Sequence, residues 1–266
     1  MRRREDSSED EGYAFLERGA SRQDLRVTEV RDDAGACSVS APGLQLVGSL
    51  RVRQGLSHAR DQRPCEDQVV VCLPASKAGL PGGILAVLDG HFGTRAAIMA
   101  RHQLAGVAQG FFAQPPGERG YGPALETVFA DVDRTICEQC EERCTATVVP
   151  VWAHGGRVHM QVANVGDSLA VFAGFGPEGD LAAGPEPREL TQNHRVDQDA
   201  EYDRIAAYNL PPEKLGGYER GHTRLLGFQL ARCLGDRMFK QECPAIVSKP
   251  RCDASRCDAC RHRAPY

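Results

Sequence analysis

The stretch Ile84–Gly93, with the sequence ILAVLDGHFG, decides the fold of this chain. Its continuous apolar run is typical of a buried strand, and the Asp89-Gly90 pair ends that strand in a tight turn. Asp89 can offer two oxygens to a hard cation, Gly90 lets the backbone carbonyl come close, and His91 can exchange a proton near neutral pH. Taken alone, the turn also fits an ordinary strand-to-helix connection capped by the carboxylate.

Composition limits the classes of protein to consider. The chain has 266 residues, of which 41% are hydrophobic, so it can bury a sizeable core in one large domain or two small ones. A net charge of -4 gives no reason to expect nucleic acid as a partner. No apolar run approaches the ~18 residues that span a bilayer, and no secretory signal follows the basic start. We therefore expect an intracellular protein, cytoplasmic or nuclear, that is monomeric, has no membrane partner and keeps its 11 cysteines reduced.

The chain divides into three regions. Residues 1–46 carry interleaved charges and few large apolar side chains, which predicts a disordered charged tail. Residues 47–250 hold the alternating and helical patterns of a folded domain. Residues 251–266 are rich in cysteine and arginine, and we expect them to form an irregular tail that supplies no core strand.

A charged cluster precedes a valine-rich strand in the segment Arg60–Cys72. Arg63 could fork to phosphate oxygens, while Glu66 and Asp67 hold the counter-cation. The alternative interpretation is an exposed turn whose charges neutralise one another.

Two amphipathic helices and a set of strands follow the central stretch. The apolar positions that mark the helices are Ala97, Ala100, Leu104, Val107 and Phe111 in the first and Leu125, Phe129, Val132, Ile136 and Cys140 in the second. Strands are predicted from Thr145 to Trp152 and around Val158–Val162, with a return strand over Leu169–Phe172 that places Asp167 at a hairpin end. Such an order favours helices packed on an antiparallel sheet.

Three cysteines near the end of the second helix have a spacing that could hold zinc or an iron-sulfur cluster: Cys137, Cys140 and Cys144. Cys140 and Cys144 continue the apolar stripe of that helix, and cysteine is among the most frequently buried residue types. We therefore interpret this group as part of the core.

Six segments, in this order, resemble the metal-dependent PPM (type 2C) serine/threonine protein phosphatases. They are Cys65–Asp67, Val87–Gly93, Cys144–Thr147, Ala163–Ser168, Leu190–Ile205 and Leu230–Asp236. The resemblance extends over about residues 47 to 248. It implies an α+β fold in which two stacked antiparallel β-sheets are flanked by helices, incomplete at the C-terminus, with a two-metal site at one end of the sandwich.

The resemblance also implies the metal ligands. Asp67 and Asp89 would bind two Mg2+ or Mn2+ ions directly, with Asp89 as the bridge. The Gly90 carbonyl would bind one ion, and Glu66 would reach it through water. Asp167 resembles the ligand of a third, weaker metal position.

By the same resemblance, the substrates would be phosphoserine and phosphothreonine proteins. His91 would protonate the departing serine or threonine oxygen. Arg63 would bind phosphate, although the family usually has its arginine one residue earlier, where this chain has Gln62. Phe92 replaces a usual glycine, and Asn193-His194 replaces a usual Asp-His pair.

Two alternatives to an active phosphatase remain open. The family's later Asp-Gly-x-Trp-Asp and Asp-Asn segments are absent from these 266 residues, which favours an impaired relative that binds phosphoproteins with weakened metal affinity. A zinc-binding interaction module is the other, and its ligands would be Cys252, Cys257, Cys260 and His262.

Overall fold

The computed structural model describes residues 25–27, 35–41, 44–50, 60–62, 64–74, 82–113, 120–154, 157–173 and 186–257. The described strands and helices, in chain order, are β1 (Leu25–Val27), β2 (Gly35–Ala41), β3 (Leu44–Leu50), β4 (Gln68–Pro74), β5 (Gly82–Leu88), β6 (Gly90–His91), α1 (Arg95–Ala113), α2 (Gly122–Gln139), β7 (Arg143–Cys144), β8 (Ala146–His154), β9 (Arg157–Val165), β10 (Val171–Phe172), β11 (Arg188–Glu189), α3 (Asp199–Ala206), α4 (Pro212–Leu215), β12 (Leu234–Gly235), α5 (Arg237–Glu242) and β13 (Arg251–Cys257). These helices and antiparallel sheets confirm the predicted α+β class.

The largest sheet has six strands in the order β1-β4-β5-β8-β9-β13. Strand β5 lies inside it, antiparallel to β4 on one side and β8 on the other. Alternate residues of β5 face opposite sides of the sheet, as the two-residue strand period requires. Ile84, Ala86 and Leu88 are buried in the main core, whereas Leu85 and Val87 on the other face are 38% and 46% exposed.

Helices α1 and α2 supply the rest of that core. The predicted stripe of α2 is confirmed, with Leu125, Phe129, Val132 and Ile136 buried. In α1, Ala97, Ala100 and Leu104 are buried and Val107 is partly buried, while the side chain of the predicted Phe111 lies outside the described residues. Helix α2 ends at Gln139, one residue earlier than its apolar stripe indicated, because the Cys140 backbone is extended. Cys144 is fully buried in β7, and the seven cysteines whose side chains the structure describes are free thiols.

The first turn of α1 is held by a side chain from a distant segment. The backbone N–H groups of Arg95 and Ala96 donate to Glu142 Oε2 at 2.6 and 3.3 Å, so a carboxylate caps the positive end of the helix. A Cβ at Gly93 would lie 2.4 Å from Glu142 Oε1. Gly93 is therefore required for Glu142 to reach the helix.

A second core cluster lies in the segment from residue 196 to residue 246. At its edge, the buried carboxylate of Glu201 accepts hydrogen bonds from Arg204 Nε at 2.8 Å and from Arg232 Nε at 2.9 Å. The same arginines donate to backbone carbonyls, among them Ala245 at 2.6 Å and Lys249 at 3.1 Å. Burial raises the pKa of Glu201, but the hydrogen bonds and charges of the two arginines outweigh it and lower that pKa overall.

The structure corrects the predicted chain ends. Within residues 1–46, expected to be a disordered tail, the backbone forms β1, β2 and the beginning of β3, and β1 pairs with β4. Strand β13 lies in the segment expected to be irregular and pairs along its seven residues with β9. Small and polar residues suffice there because an edge strand is held by backbone hydrogen bonds, and Cys252 packs against the main core.

No helix in the described part of the chain is long and apolar enough to cross a membrane.

His194 predicts a measurable pH dependence of folding. Its side chain is fully buried. Burial, assisted by the positive charge of Arg232, lowers its pKa to about 4 from 6.5. Between these values the unfolded chain binds a proton that the folded chain does not, so stability is complete above pH ~6.5 and falls as the pH drops toward ~4. We expect this group alone to remove about 3 kcal/mol from the free energy of unfolding over that range.

Urea unfolding of the wild type and of His194→Gln at several pH values measures this effect. The variant should show a weaker loss of stability between pH 6.5 and 4. His154→Gln, at an exposed position, should match the wild type. Parallel pH profiles for all three proteins would contradict the assignment.

Candidate functional site

The candidate site lies where β5 ends and β6 begins. Asp89 stands between these strands, and β6 pairs with β7 through Gly90 opposite Cys144 and His91 opposite Arg143. The segment before β4 crosses this turn, because Gly90 N–H donates to the Glu66 carbonyl at 3.2 Å. A Cβ at Gly90 would lie 2.5 Å from that oxygen, so glycine is needed for the crossing. The crossing brings Asp67 to Asp89.

Asp67 and Asp89 interact through their side chains. Both the charge of Asp67 and a side-chain hydrogen bond with it raise the pKa of Asp89. Burial raises the pKa of Asp89; the charge of His91 lowers it, and the charges of Asp67 and Asp167 raise it, so that the net change is upward. Like charges held together in this way favour the binding of cations.

Thr145 ties two parts of the site together. Its hydroxyl accepts from the Asp89 N–H at 3.1 Å and lies 2.7 Å from the hydroxyl of Ser168. The Thr145 N–H in turn donates to the Asp89 carbonyl at 2.9 Å. The end of β5 is therefore fixed to the turn that carries Asp167.

That turn follows β9 and is held by its own contacts. Gly166 has a φ of +97°, and a Cβ there would lie 2.5 Å from Thr145 Cγ2, so only glycine fits. The carboxylate of Asp167 lies 3.8 Å from a terminal guanidinium nitrogen of Arg195, whose Nε is 3.5 Å from Asp197. The predicted return strand is wrong in its pairing: β10 begins at Val171 and pairs with β11, because the chain leaves the large sheet after β9.

His91 lies between Asp89 and solvent. Its Nδ1 is 3.6 Å from Asp89 Oδ1, beyond hydrogen-bond length, and is buried without a hydrogen-bond partner in the described structure. The side chain as a whole is 37% exposed. One edge of the imidazole is thus directed to the acidic pair, and part of the ring stays accessible to an incoming group.

The residues present fit hard divalent cations. Their donors are the carboxylates of Asp67, Asp89 and Asp167, the Gly90 carbonyl and the carboxylate of Glu66, all of them oxygens of the kind that Mg2+ and Mn2+ prefer. Among the described residues, no three His, Cys, Asp or Glu side chains are close enough to share one ion. Asp67 acts on the Asp89 carboxyl through its charge and a side-chain hydrogen bond, and Asp167 acts on Asp89 through its charge.

The structure thus brings together most of the residues that the sequence singled out. Arg63, the predicted phosphate-binding residue, lies outside the described residues. The zinc interpretation rested partly on Cys260 and His262, which also lie outside them.

Three residues near the site make contacts that the sequence analysis did not predict. Thr145 was part of a recognised segment, but no role was assigned to its hydroxyl. Ser168 and Arg195 likewise gave no periodic signal, since their contacts join segments distant in sequence.

This chain is similar to known proteins over the same part of its sequence. Residues 55–257 match the family model described as protein phosphatase 2C. Protein phosphatase 2C 70 of Arabidopsis thaliana is 30% identical over 182 residues, 64% of this chain and 29% of the relative. Probable protein phosphatase 1N of Homo sapiens is 32% identical over 206 residues, 75% of this chain and 43% of the relative. The chain spans less than half the length of these curated relatives.

Solved structures agree with this fold. A Caenorhabditis elegans sex determining protein has a TM-score of 0.55 at 21% identity, covering 74% of this chain and 46% of its own. A Toxoplasma gondii phosphatase has a TM-score of 0.53 at 18% identity, covering 72% of this chain and 68% of its own. With the family model matched over most of the described domain, the chain belongs to the protein phosphatase 2C family.

Proposed function

We propose that this chain hydrolyses phosphoserine and phosphothreonine in proteins, using two Mg2+ or Mn2+ ions bound around Asp67 and Asp89. The observation that carries the proposal is the contact between these two carboxylates beside His91, at the end of a buried strand. Family membership and the names of the phosphatase relatives support the substrate class.

The roles of the chain's own residues follow from their positions. Bound cations would acidify a water molecule and neutralise the charge of the phosphate. Asp67 and Asp89 would hold those cations, and the Gly90 carbonyl and Glu66 would complete the oxygen donors on the same side. Thr145 would keep Asp89 in place through its two hydrogen bonds. His91, on the accessible side of the pair, would donate a proton to the serine or threonine oxygen as it leaves.

Purified chain with Mn2+ and a phosphothreonine peptide tests the proposal. Release of phosphate that depends on Mn2+ and stops on chelation is the expected result. Phosphopeptide binding without turnover would instead favour an impaired relative that binds phosphoproteins. Turnover that persists in the presence of a chelator would contradict the metal-dependent reaction.

His91→Gln should separate substrates by their leaving groups. A serine alkoxide needs a proton to depart, whereas p-nitrophenolate does not. We therefore expect the variant to lose about 10²-fold in kcat on a phosphoserine peptide and much less on p-nitrophenyl phosphate. His102→Gln, at an exposed position on α1, should leave both rates unchanged. Equal losses on both substrates would remove His91 from the role of general acid.

A further inference from the structure

Phe92 is an exposed aromatic residue directly beside the candidate site. It follows His91 in the chain, and its residue surface is 75% exposed. Its φ is +68°, in the left-handed region that bulky side chains rarely adopt. Exposure and an unfavourable backbone conformation together mean that neither core packing nor local propensity accounts for a phenylalanine here.

One face of the Phe92 ring is occupied by a fixed cation. The guanidinium carbon of Arg143 lies 4.6 Å from the centre of this ring and 4.5 Å from that of Phe228. Arg143 also donates to Asp236 Oδ2 at 2.7 Å, and it is only 8% exposed. The ring therefore rests on a rigid, buried support.

The support extends into the second core cluster. Phe228 stacks on Phe239 with ring centres 3.8 Å apart; Phe239 belongs to that cluster, and the partly buried Phe228 packs against it. Because Arg143 is held between two rings and an aspartate, Phe92 loses little freedom when something binds to it. A side chain that is held in place before binding in this way is typical of a residue that contacts a ligand.

We propose that Phe92 selects the substrate, by packing against an apolar or aromatic side chain next to the phosphorylated serine or threonine. The inference rests on the proposed phosphatase function and assigns a specificity residue to the same site. A phosphopeptide that reaches Asp89 and His91 must pass the adjoining residue, and the ring there offers it a large, accessible apolar surface.

Charge explains why the neighbouring substrate residue is apolar. An aromatic face can also attract lysine or arginine, but this ring already carries Arg143 on its other side. A second cation would be repelled by that guanidinium. An aliphatic or aromatic side chain is not repelled by Arg143, and its contact with the ring is favourable because both apolar surfaces are removed from water.

Binding of fluorescent peptides that carry a non-hydrolysable phosphonate in place of phosphoserine tests the proposal without turnover. Peptides with leucine, lysine or glycine on either side of the phosphonate are compared by anisotropy in the presence of Mn2+. The wild type should bind a leucine peptide about fivefold more tightly than the others. Phe92→Gly and Phe92→Asn, which both suit a left-handed φ, should lose this preference.

Tyr208→Ala, which removes an exposed aromatic side chain elsewhere, should keep the preference. Melting temperatures of the Phe92 variants at or above that of the wild type would show that they fold. A preference for leucine that survives in both Phe92 variants, or its absence from the wild type, overturns the proposal. Hydrolysis of p-nitrophenyl phosphate is measured alongside, so that failure of the phosphatase function is seen separately from failure of the selection.

Discussion

Asp89→Asn is expected to abolish Mn2+ binding and to lower turnover by about 10³-fold or more, the largest effect that the structure predicts. The substitution keeps the shape of the side chain and the hydrogen bonds of its backbone to Thr145. It removes the charge that lies between Asp67 and His91. Two dications held by fewer carboxylates would be insufficiently neutralised.

Calorimetric titration with Mn2+ and an assay on p-nitrophenyl phosphate measure the two consequences separately. Asp131→Asn is a suitable control, since Asp131 lies on the exposed side of α2 and its carboxylate pairs only with Arg134 among the contacts described. The control should bind and turn over as the wild type does. Unchanged Mn2+ binding by Asp89→Asn would remove Asp89 from the metal ligands.

Glu201→Gln is expected to lower the free energy of unfolding by about 3 to 5 kcal/mol. Glu201 is only 1% exposed, and its carboxylate is the shared partner of Arg204 and Arg232. Glutamine preserves the size of the side chain but leaves two partly buried guanidinium groups without their counter-charge. An unpaired charge in such a place costs far more than a lost surface contact.

Urea unfolding measures this loss. Asp203→Asn provides a control on the same helix, because the ion pair of Asp203 with Arg220 is exposed and its removal should change stability little. A small effect for Glu201→Gln, similar to that of the control, would contradict the prediction and show that water or a rearrangement compensates the charges of the two arginines.

Elements set by local patterns were predicted correctly from the sequence. The stripe of α2 buries its residues as its period indicated. The apolar run of β5 forms the predicted strand, but the expectation that the whole run is buried was wrong, because only one face of β5 is covered by the main core and Leu85 and Val87 on the other face are exposed. The Asp89-Gly90-His91 turn was found because a strand that ends in an acidic residue is visible in the sequence itself. These predictions needed no knowledge of distant segments.

Features that depend on distant partners escaped the same reasoning. The capping of α1 by Glu142 joins residues 47 positions apart, and no sequence pattern near Arg95 indicates this contact. Strand β13 was missed because its residues give a weak alternating pattern, while the open edge of β9 that accepts it is visible only in three dimensions. The hydroxyl of Thr145 likewise gains its role from Ser168 and Asp89, not from its neighbours.

The long sequence separation of these contacts has a kinetic consequence. Thr145 and Asp89 are 56 residues apart, and Arg143 and Asp236 are 93 apart. Loops of this length must close before such contacts can form, which slows folding. During synthesis, the buried pairing of Arg143 must therefore wait until Asp236 has left the ribosome, and the support beneath Phe92 cannot form while only the segment that carries Phe92 and Arg143 has been made.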